Sequence, residues 1–297
     1  MEIRCELCPR RCGAVRTDKK AGGICRSPLL PHIARAAPHY GEEPCIAGKN
    51  GTGAVFFTGC NLRCVFCQNA DISRGGGGAS VTVPQLRDML LRLRDEGVDS
   101  IDLVTGAHYI PAIAEALSGL TLGIPVVWNS SGYESVESLR ELSGLVQVYM
   151  PDFKYSDSEA AKRYSAAEDY PTVAAEAIRE MYRQVGPYVL DGSGLIKSGV
   201  LIRHLILPGR TEDAMNVIDF AADEFPTGSV LFSLMSQYTP MPGLERFPEL
   251  RQRATPEENR ALIHYMQVRH LDGFWQELDA ATAEMIPDWD LTGVEKS

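Results

Sequence analysis

Phe57-Thr58-Gly59-Cys60-Asn61-Leu62-Arg63-Cys64-Val65-Phe66-Cys67-Gln68-Asn69 sets three cysteines at C-x3-C-x2-C, directly after the apolar run 54–58. That run is short, aromatic and β-branched, and reads as a buried strand. Three thiolates on one loop can hold three irons of a cubane cluster and leave the fourth iron without a protein ligand. An open metal position is where a substrate or cofactor coordinates. A zinc loop usually wants four ligands, and neither zinc nor three buried free thiols explains an odd triad at a strand end, where barrel sites are built.

Outward from this loop the chain alternates. Runs 54–58, 100–105, 125–129, 145–150, 200–207 and 229–234 have buried-strand character. Between and after them, 84–96, 110–117, 135–142, 170–185, 212–224 and 256–270 read as helices, and Thr82-Val83-Pro84 and Thr255-Pro256-Glu257 place a hydroxyl and a proline at two of the entrances. Such alternation predicts βα units and a parallel sheet. Six strands are too few for the eight-stranded barrel and suit an open one. The predicted fold is α/β: an open, partial (β/α)6 TIM-type barrel with a C-terminal helical region over residues 49–297, preceded by a Cys-rich metal-binding segment over residues 1–48. Asp191-Gly192-Ser193-Gly194 reads as a hairpin tip leading into the Val200 strand. Glycines 75–78 lack the spacing of a phosphate cradle and read as a flexible loop.

The 297 residues carry eight cysteines, at 5, 8, 12, 25, 45, 60, 64 and 67. A net charge of −10 argues against a nucleic-acid binder working through a broad basic surface. The longest apolar stretches fall far short of the roughly 20 residues of a membrane span. Met1-Glu2-Ile3-Arg4-Cys5 shows no apolar signal region. A cytoplasmic protein is expected, without membrane or nucleic-acid partners, and there eight thiols ask for a metal rather than disulfides. Cys5-x2-Cys8-x3-Cys12-x12-Cys25 offers four ligands in a segment with little apolar content, which needs a staple. Zinc fits the Cys-x2-Cys start, an auxiliary [4Fe–4S] cluster fits the chemistry of the Cys60 triad, and the spacing does not separate them. Cys45 stands alone and reads as structural, with a replacement ligand as the alternative.

Cys60-x3-Cys64-x2-Cys67, with Phe66 before the third cysteine, resembles the signature of the radical S-adenosylmethionine (SAM) superfamily. The resemblance implies a [4Fe–4S] cluster whose open iron chelates the amino and carboxylate groups of SAM. It further implies reductive cleavage of SAM to methionine and a 5′-deoxyadenosyl radical, which abstracts a substrate hydrogen. Cys5-Glu6-Leu7-Cys8-Pro9-Arg10-Arg11-Cys12-Gly13, Leu103-Val104-Thr105-Gly106-Ala107-His108-Tyr109-Ile110-Pro111, Trp128-Asn129-Ser130-Ser131-Gly132-Tyr133 and Arg203-His204-Leu205-Ile206-Leu207-Pro208-Gly209 are similar to a radical SAM family related to pyruvate-formate-lyase-activating enzyme. A glycyl-radical-activase-like oxidoreductase is implied, with a one-electron donor such as flavodoxin or ferredoxin and a protein substrate. The competing expectations are a radical SAM enzyme acting on a small molecule and, from another class, a zinc-dependent binding module without catalysis.

The same resemblance marks the remaining strand ends. Where many radical SAM enzymes have Gly-Gly-Glu-Pro, this chain has Thr105-Gly106-Ala107-His108, lacking the double glycine and the glutamate. Carbonyls of Thr105 and Gly106 could still accept from the SAM ammonium. His108 is a candidate polar contact or proton relay, with helix capping as the alternative. Asn129, Ser130, Met150 and Asp152 match the positions that flank SAM and a monovalent cation in activating enzymes, with Asn129 replacing a carboxylate. Asp152 and Lys154 lie two apart and point the same way in extended chain, so they could pair with each other and with SAM. Lys154 and His108 are the candidate catalytic side chains. Of Arg203 and His204, neighbours on one strand, at most one faces the interior. Gln237 or Tyr238 is placed to reach the adenosine.

Overall fold

A computed structural model describes residues 2–276, 278 and 287–294. Its main sheet contains β1 (His32–His39), β2 (Thr52–Phe57), β3 (Ser100–Val104), β4 (Val126–Ser130), β5 (Val148–Pro151), β6 (Ile196–Leu205), β7 (Leu231–Met235) and β8 (Asp272–Trp275). From β2 to β8 each strand lies parallel to the next in the chain, and β1 closes back antiparallel onto β2. The sheet stays open, with β8 at one edge and the two-residue strand Ala79–Ser80 at the other. The fold is the expected α/β partial barrel, with β8 as a seventh parallel strand.

The helices between the strands are α1 (Val83–Asp95), α2 (Ile110–Leu117), α3 (Val136–Arg140), α4 (Ser158–Ser165), α5 (Tyr170–Val185), α6 (Thr211–Glu224) and α7 (Pro256–Val268). Thr82 and Thr255 form reciprocal capping boxes with Gln85 and Glu258, each typically worth about 1 kcal/mol. Outward strand residues such as Leu103, Trp128, Tyr149, Ile202 and Phe232 pack into the main core with apolar residues of the helices. Inward residues fall into two tiers. Val127, Val148, Met150, Leu201 and Leu231 form an apolar plug with Cys45 and Ile46, which the single-turn helix Pro44–Ala47 inserts among them. Two residues further along their strands, Asn129, Asp152, Arg203 and Ser233 line a cavity instead.

Three features depart from the sequence reading. β1 comes from a stretch expected to be loop-rich. Its Arg35 and Pro38 break any alternation, and pairing with β2 supplies the order. Helix α4 and strand β8 were also not expected. The cysteine-bearing part before β1 is built on a short hairpin of Glu2–Arg4 and Val15–Thr17. The Asp191–Gly194 turn is as read: Val189–Leu190 pairs antiparallel with the start of β6, and Asp191 N–H donates to the Leu195 carbonyl at 2.8 Å. Of the C-terminal helical region, α7 is described, whereas residues 277, 279–286 and 295–297 lie outside the described residues. Among the described residues no helix is long and apolar enough to cross a membrane.

Candidate functional site

Gly59, at φ +84°, turns the chain out of β2 and into the cysteine loop. A backbone hydrogen bond from Val65 to the Tyr164 carbonyl, at 2.8 Å, pins that loop to α4. Cys60, Cys64 and Cys67 all line one cavity of about 530 Å³, a size usual for small-molecule sites. Each sulfur has a polar neighbour: Leu62 N–H donates to Cys60 Sγ at 3.4 Å, Ser165 Oγ to Cys64 Sγ at 3.0 Å, and Ser73 Oγ lies 3.4 Å from Cys67 Sγ. Burial pushes the Cys60 and Cys64 thiols up, and Lys154 opposes this at both. Such thiols ionise when a metal core takes them. Among the described residues no fourth cysteine lines the cavity. Three sulfurs with N–H and O–H donors and a nearby ammonium fit a [4Fe–4S] core with one iron left open.

Below the cysteines a charge network crosses the barrel. Asp152 accepts from Lys154 Nζ at Oδ2 (2.5 Å) and from Arg203 Nε at Oδ1 (3.0 Å). Burial alone would raise the Asp152 carboxyl, but the two cations outweigh it and hold it below the ordinary value. Lys154 is held above its ordinary value by Asp152 and Cys64, against burial. Arg203 also donates to Glu42 Oε2 at 3.0 Å and to Asn129 Oδ1 at 2.6 Å. Asn129 in turn donates to Asp102 Oδ2 at 3.1 Å and to Glu42 Oε1 at 3.3 Å. Burial drives the Asp102 carboxyl well up, and it pushes Glu43 up to about 7 against the pull of Arg203.

Thr105, Asn129, Ser130, Asp152 and Lys154 therefore line the cavity together with the three cysteines. Thr105 has φ +60°, a strained conformation for a β-branched residue. The other candidates lie elsewhere. The Gly106 carbonyl already accepts from Tyr109 N–H at 2.8 Å, within a one-turn 3₁₀ helix. His108 is buried, and its Nε2–H donates to the Thr58 carbonyl at 2.8 Å. Burial lowers it to about 3, so it stays neutral, and it sits on a small second pocket with Cys5, Cys8, Cys12 and Cys25. The Met150 side chain is part of the apolar plug. Arg203 faces inward while His204 turns to the Phe153 carbonyl, and Gln237 lines the cavity whereas Tyr238 donates away to Leu250 O. Sequence reasoning missed Glu42, Glu43 and Asp102. The first two carry no periodic signal, and the third is one acid inside an otherwise ordinary strand.

Comparison with known proteins agrees with this geometry. The radical SAM superfamily model matches residues 54–221, from β2 into α6. An uncharacterized protein of Methanocaldococcus jannaschii is 28% identical over 278 residues, which cover 90% of this chain and 75% of that one. Among solved structures, Streptococcus suis SuiB bound to S-adenosylmethionine matches with a TM-score of 0.51 at 14% identity, covering 77% of this chain. The match covers 51% of SuiB, so the chain spans about half its length. A domain of pyruvate-formate lyase-activating enzyme from Bacteroides vulgatus matches with a TM-score of 0.39 at 14% identity, over 68% of this chain and 100% of that domain. With the family match running through the cysteine loop and more than half of the chain, this protein belongs to the radical SAM superfamily.

Proposed function

We propose that the protein reductively cleaves SAM and uses the 5′-deoxyadenosyl radical to take a hydrogen atom from a protein substrate, as a glycyl-radical-activase-like oxidoreductase. The observation that carries this reading is a single cavity shared by the Cys60, Cys64 and Cys67 thiols and the Asp152–Lys154–Arg203 network. When bound, the cluster would supply the single electron needed for reductive cleavage of SAM to methionine and a 5′-deoxyadenosyl radical, the species that would take the substrate hydrogen and leave as 5′-deoxyadenosine. The chain's own residues bind and orient. Cys60, Cys64 and Cys67 would hold the core, and Lys154 compensates their thiolate charge. Lys154 and Arg203 supply N–H donors suited to a carboxylate, and Phe56, Leu205 and Met235 give the cavity apolar wall. A small one-electron carrier such as flavodoxin or ferredoxin is the proposed donor. The resemblance of the Cys5–Gly13 and Arg203–Gly209 motifs to a family related to pyruvate-formate-lyase-activating enzyme supports the protein-substrate reading.

The test is anaerobic reconstitution, reduction and product analysis. Wild type should yield 5′-deoxyadenosine and methionine in equal amounts. Cys60→Ala/Cys64→Ala/Cys67→Ala should yield neither and lose about four irons per chain. SAM cleavage by the triple variant would overturn the reading. A glycyl radical signal on a co-encoded partner separates a protein substrate from a small molecule.

A further inference from the structure

Outside the cavity, one cluster of reactive side chains has no part in the site described above. Cys5, Cys8, Cys12 and Cys25 line a pocket of about 10 Å³ with Arg10, Arg16, Asn61 and His108. Among the described residues two arginines and no carboxylate border it.

Arg16 decides the matter. It is 1% exposed, and its donors go to the carbonyls of Ser27, Pro28 and His108 at 2.9, 2.5 and 2.9 Å, and to Cys5 Sγ at 3.4 Å. Carbonyls satisfy its N–H groups but leave its charge unbalanced, and an uncompensated buried charge is costly. Arg10 repeats the pattern: it donates to Asn61 O at 2.9 Å, to Ser165 O at 3.2 Å and to Ala166 O, and stacks over Tyr133. Among the described residues neither arginine pairs with a carboxylate. The groups bordering the pocket that can become anionic are the four thiols.

Two further observations point to a ligand. His108, 3% exposed, lines this pocket, and among the described residues its Nδ1 has no hydrogen-bond partner. Gly23, at φ +72°, lets the backbone approach Cys12, where a Cβ would stand 2.8 Å from Sγ. The thiols border one space, although among the described residues no three His, Cys, Asp or Glu side chains already converge on an ion-sized point. Binding would draw the sulfurs inward, or a polynuclear core would bridge them.

We infer that Cys5, Cys8, Cys12 and Cys25 hold a resident anionic metal–tetrathiolate centre, with Arg16 and Arg10 as its counter-charges. Zn²⁺ or a [4Fe–4S]²⁺ core on four thiolates carries a net charge of about −2, which the two guanidiniums balance. Four protons leave on assembly, one per thiol, and no redox step is needed. The centre is tied to the SAM-cluster loop through Arg10, which holds the Asn61 carbonyl, and to the turn after β3 through Arg16, which holds the His108 carbonyl.

The test uses the full chain, purified anaerobically, with metal and sulfide analysis as the readout. Cys60→Ala/Cys64→Ala/Cys67→Ala should retain either about one zinc or about four irons with matching sulfide. Cys5→Ala/Cys8→Ala/Cys12→Ala/Cys25→Ala should lose that complement. The metal found distinguishes the two sources of the same charge. A metal-free triple variant with its remaining thiols open to a thiol reagent would overturn the site. Arg16→Met should release the metal to a chelator roughly ten- to hundredfold faster, the scale of losing a supporting contact, and Arg16→Lys should restore retention in part. Unchanged release from a folded Arg16→Met protein would overturn the counter-charge role. Should Arg16→Met not fold, Arg16→Lys and the cysteine variants still decide.

Discussion

Arg203 and Asp152, on β6 and just beyond β5, meet twice: their backbones form a parallel bridge, and Arg203 Nε donates to Asp152 Oδ1 at 3.0 Å. Lys154 takes the other oxygen at 2.5 Å, so one carboxylate organises two cations in the cavity wall. Asp152→Ala leaves both cations without their shared anion. That should cost about 3–5 kcal/mol and abolish most SAM cleavage. Lys154→Ala should lower SAM binding or turnover more than stability, because Asp152 keeps Arg203. Thermal unfolding beside equilibrium SAM binding separates the effects. Unchanged cleavage kinetics in both variants would remove the pair from the site.

Glu134 gives a pH-dependent prediction. It is 2% exposed, and burial pushes its carboxyl up to about 8 against the opposing pull of the Ser130 hydroxyl. The folded protein then keeps a proton that the unfolded chain releases above about pH 4.3, so stability falls as pH rises from there to about 8 and levels off beyond. Glu134→Gln should remove this slope. Its stabilising effect should grow toward roughly 5 kcal/mol at alkaline pH, from about 1.4 kcal/mol per unit. Denaturant midpoints of both proteins at pH 5, 7 and 9 check it; parallel pH profiles would refute it.

What was legible follows from periodicity. Asp152 and Lys154 could be placed because residues two apart share a strand face, and the C-x3-C-x2-C loop could be placed because it follows a strand. Of Arg203 and His204, the parity rule allowed only one inward residue, and Arg203 is that residue. Glu42 and Glu43 were illegible. They enter the cavity through a non-periodic connection between β1 and the plug helix, and β1 itself shows its strand character only when β2 lies beside it. His108 misled for a related reason. Its position after β3 suggested the SAM side, but the Ala107–Tyr109 turn carries the ring to the N-terminal thiols.

Cys45 belongs to the apolar plug, 3% exposed, with its thiol pushed up to about 12 mainly by burial. Cys45→Ala should therefore leave iron and zinc contents unchanged. Its cost should be about 1 kcal/mol, the scale of deleting one small buried group. Metal analysis of the variant checks it, and loss of any metal would make Cys45 a ligand.

Gly59 is where the two cysteine groups touch. Its φ is +84°, and a Cβ there would stand 2.2 Å from Ser27 Oγ, 2.6 Å from the Cys25 carbonyl and 3.1 Å from His108 Nε2. Gly97 has nearly the same backbone, φ +86°, but nothing within 4 Å of its would-be Cβ. Gly97→Ala therefore reports left-handed strain alone, about 1–2 kcal/mol. Gly59→Ala adds the clash with the segment bearing Cys25, which must move away from the Cys60 loop. It should lower the unfolding midpoint well beyond Gly97→Ala and reduce iron retention on anaerobic gel filtration, which Gly97→Ala should not. Equal losses of stability and equal iron in the two variants would mean that the N-terminal segment and the cluster loop are mechanically independent.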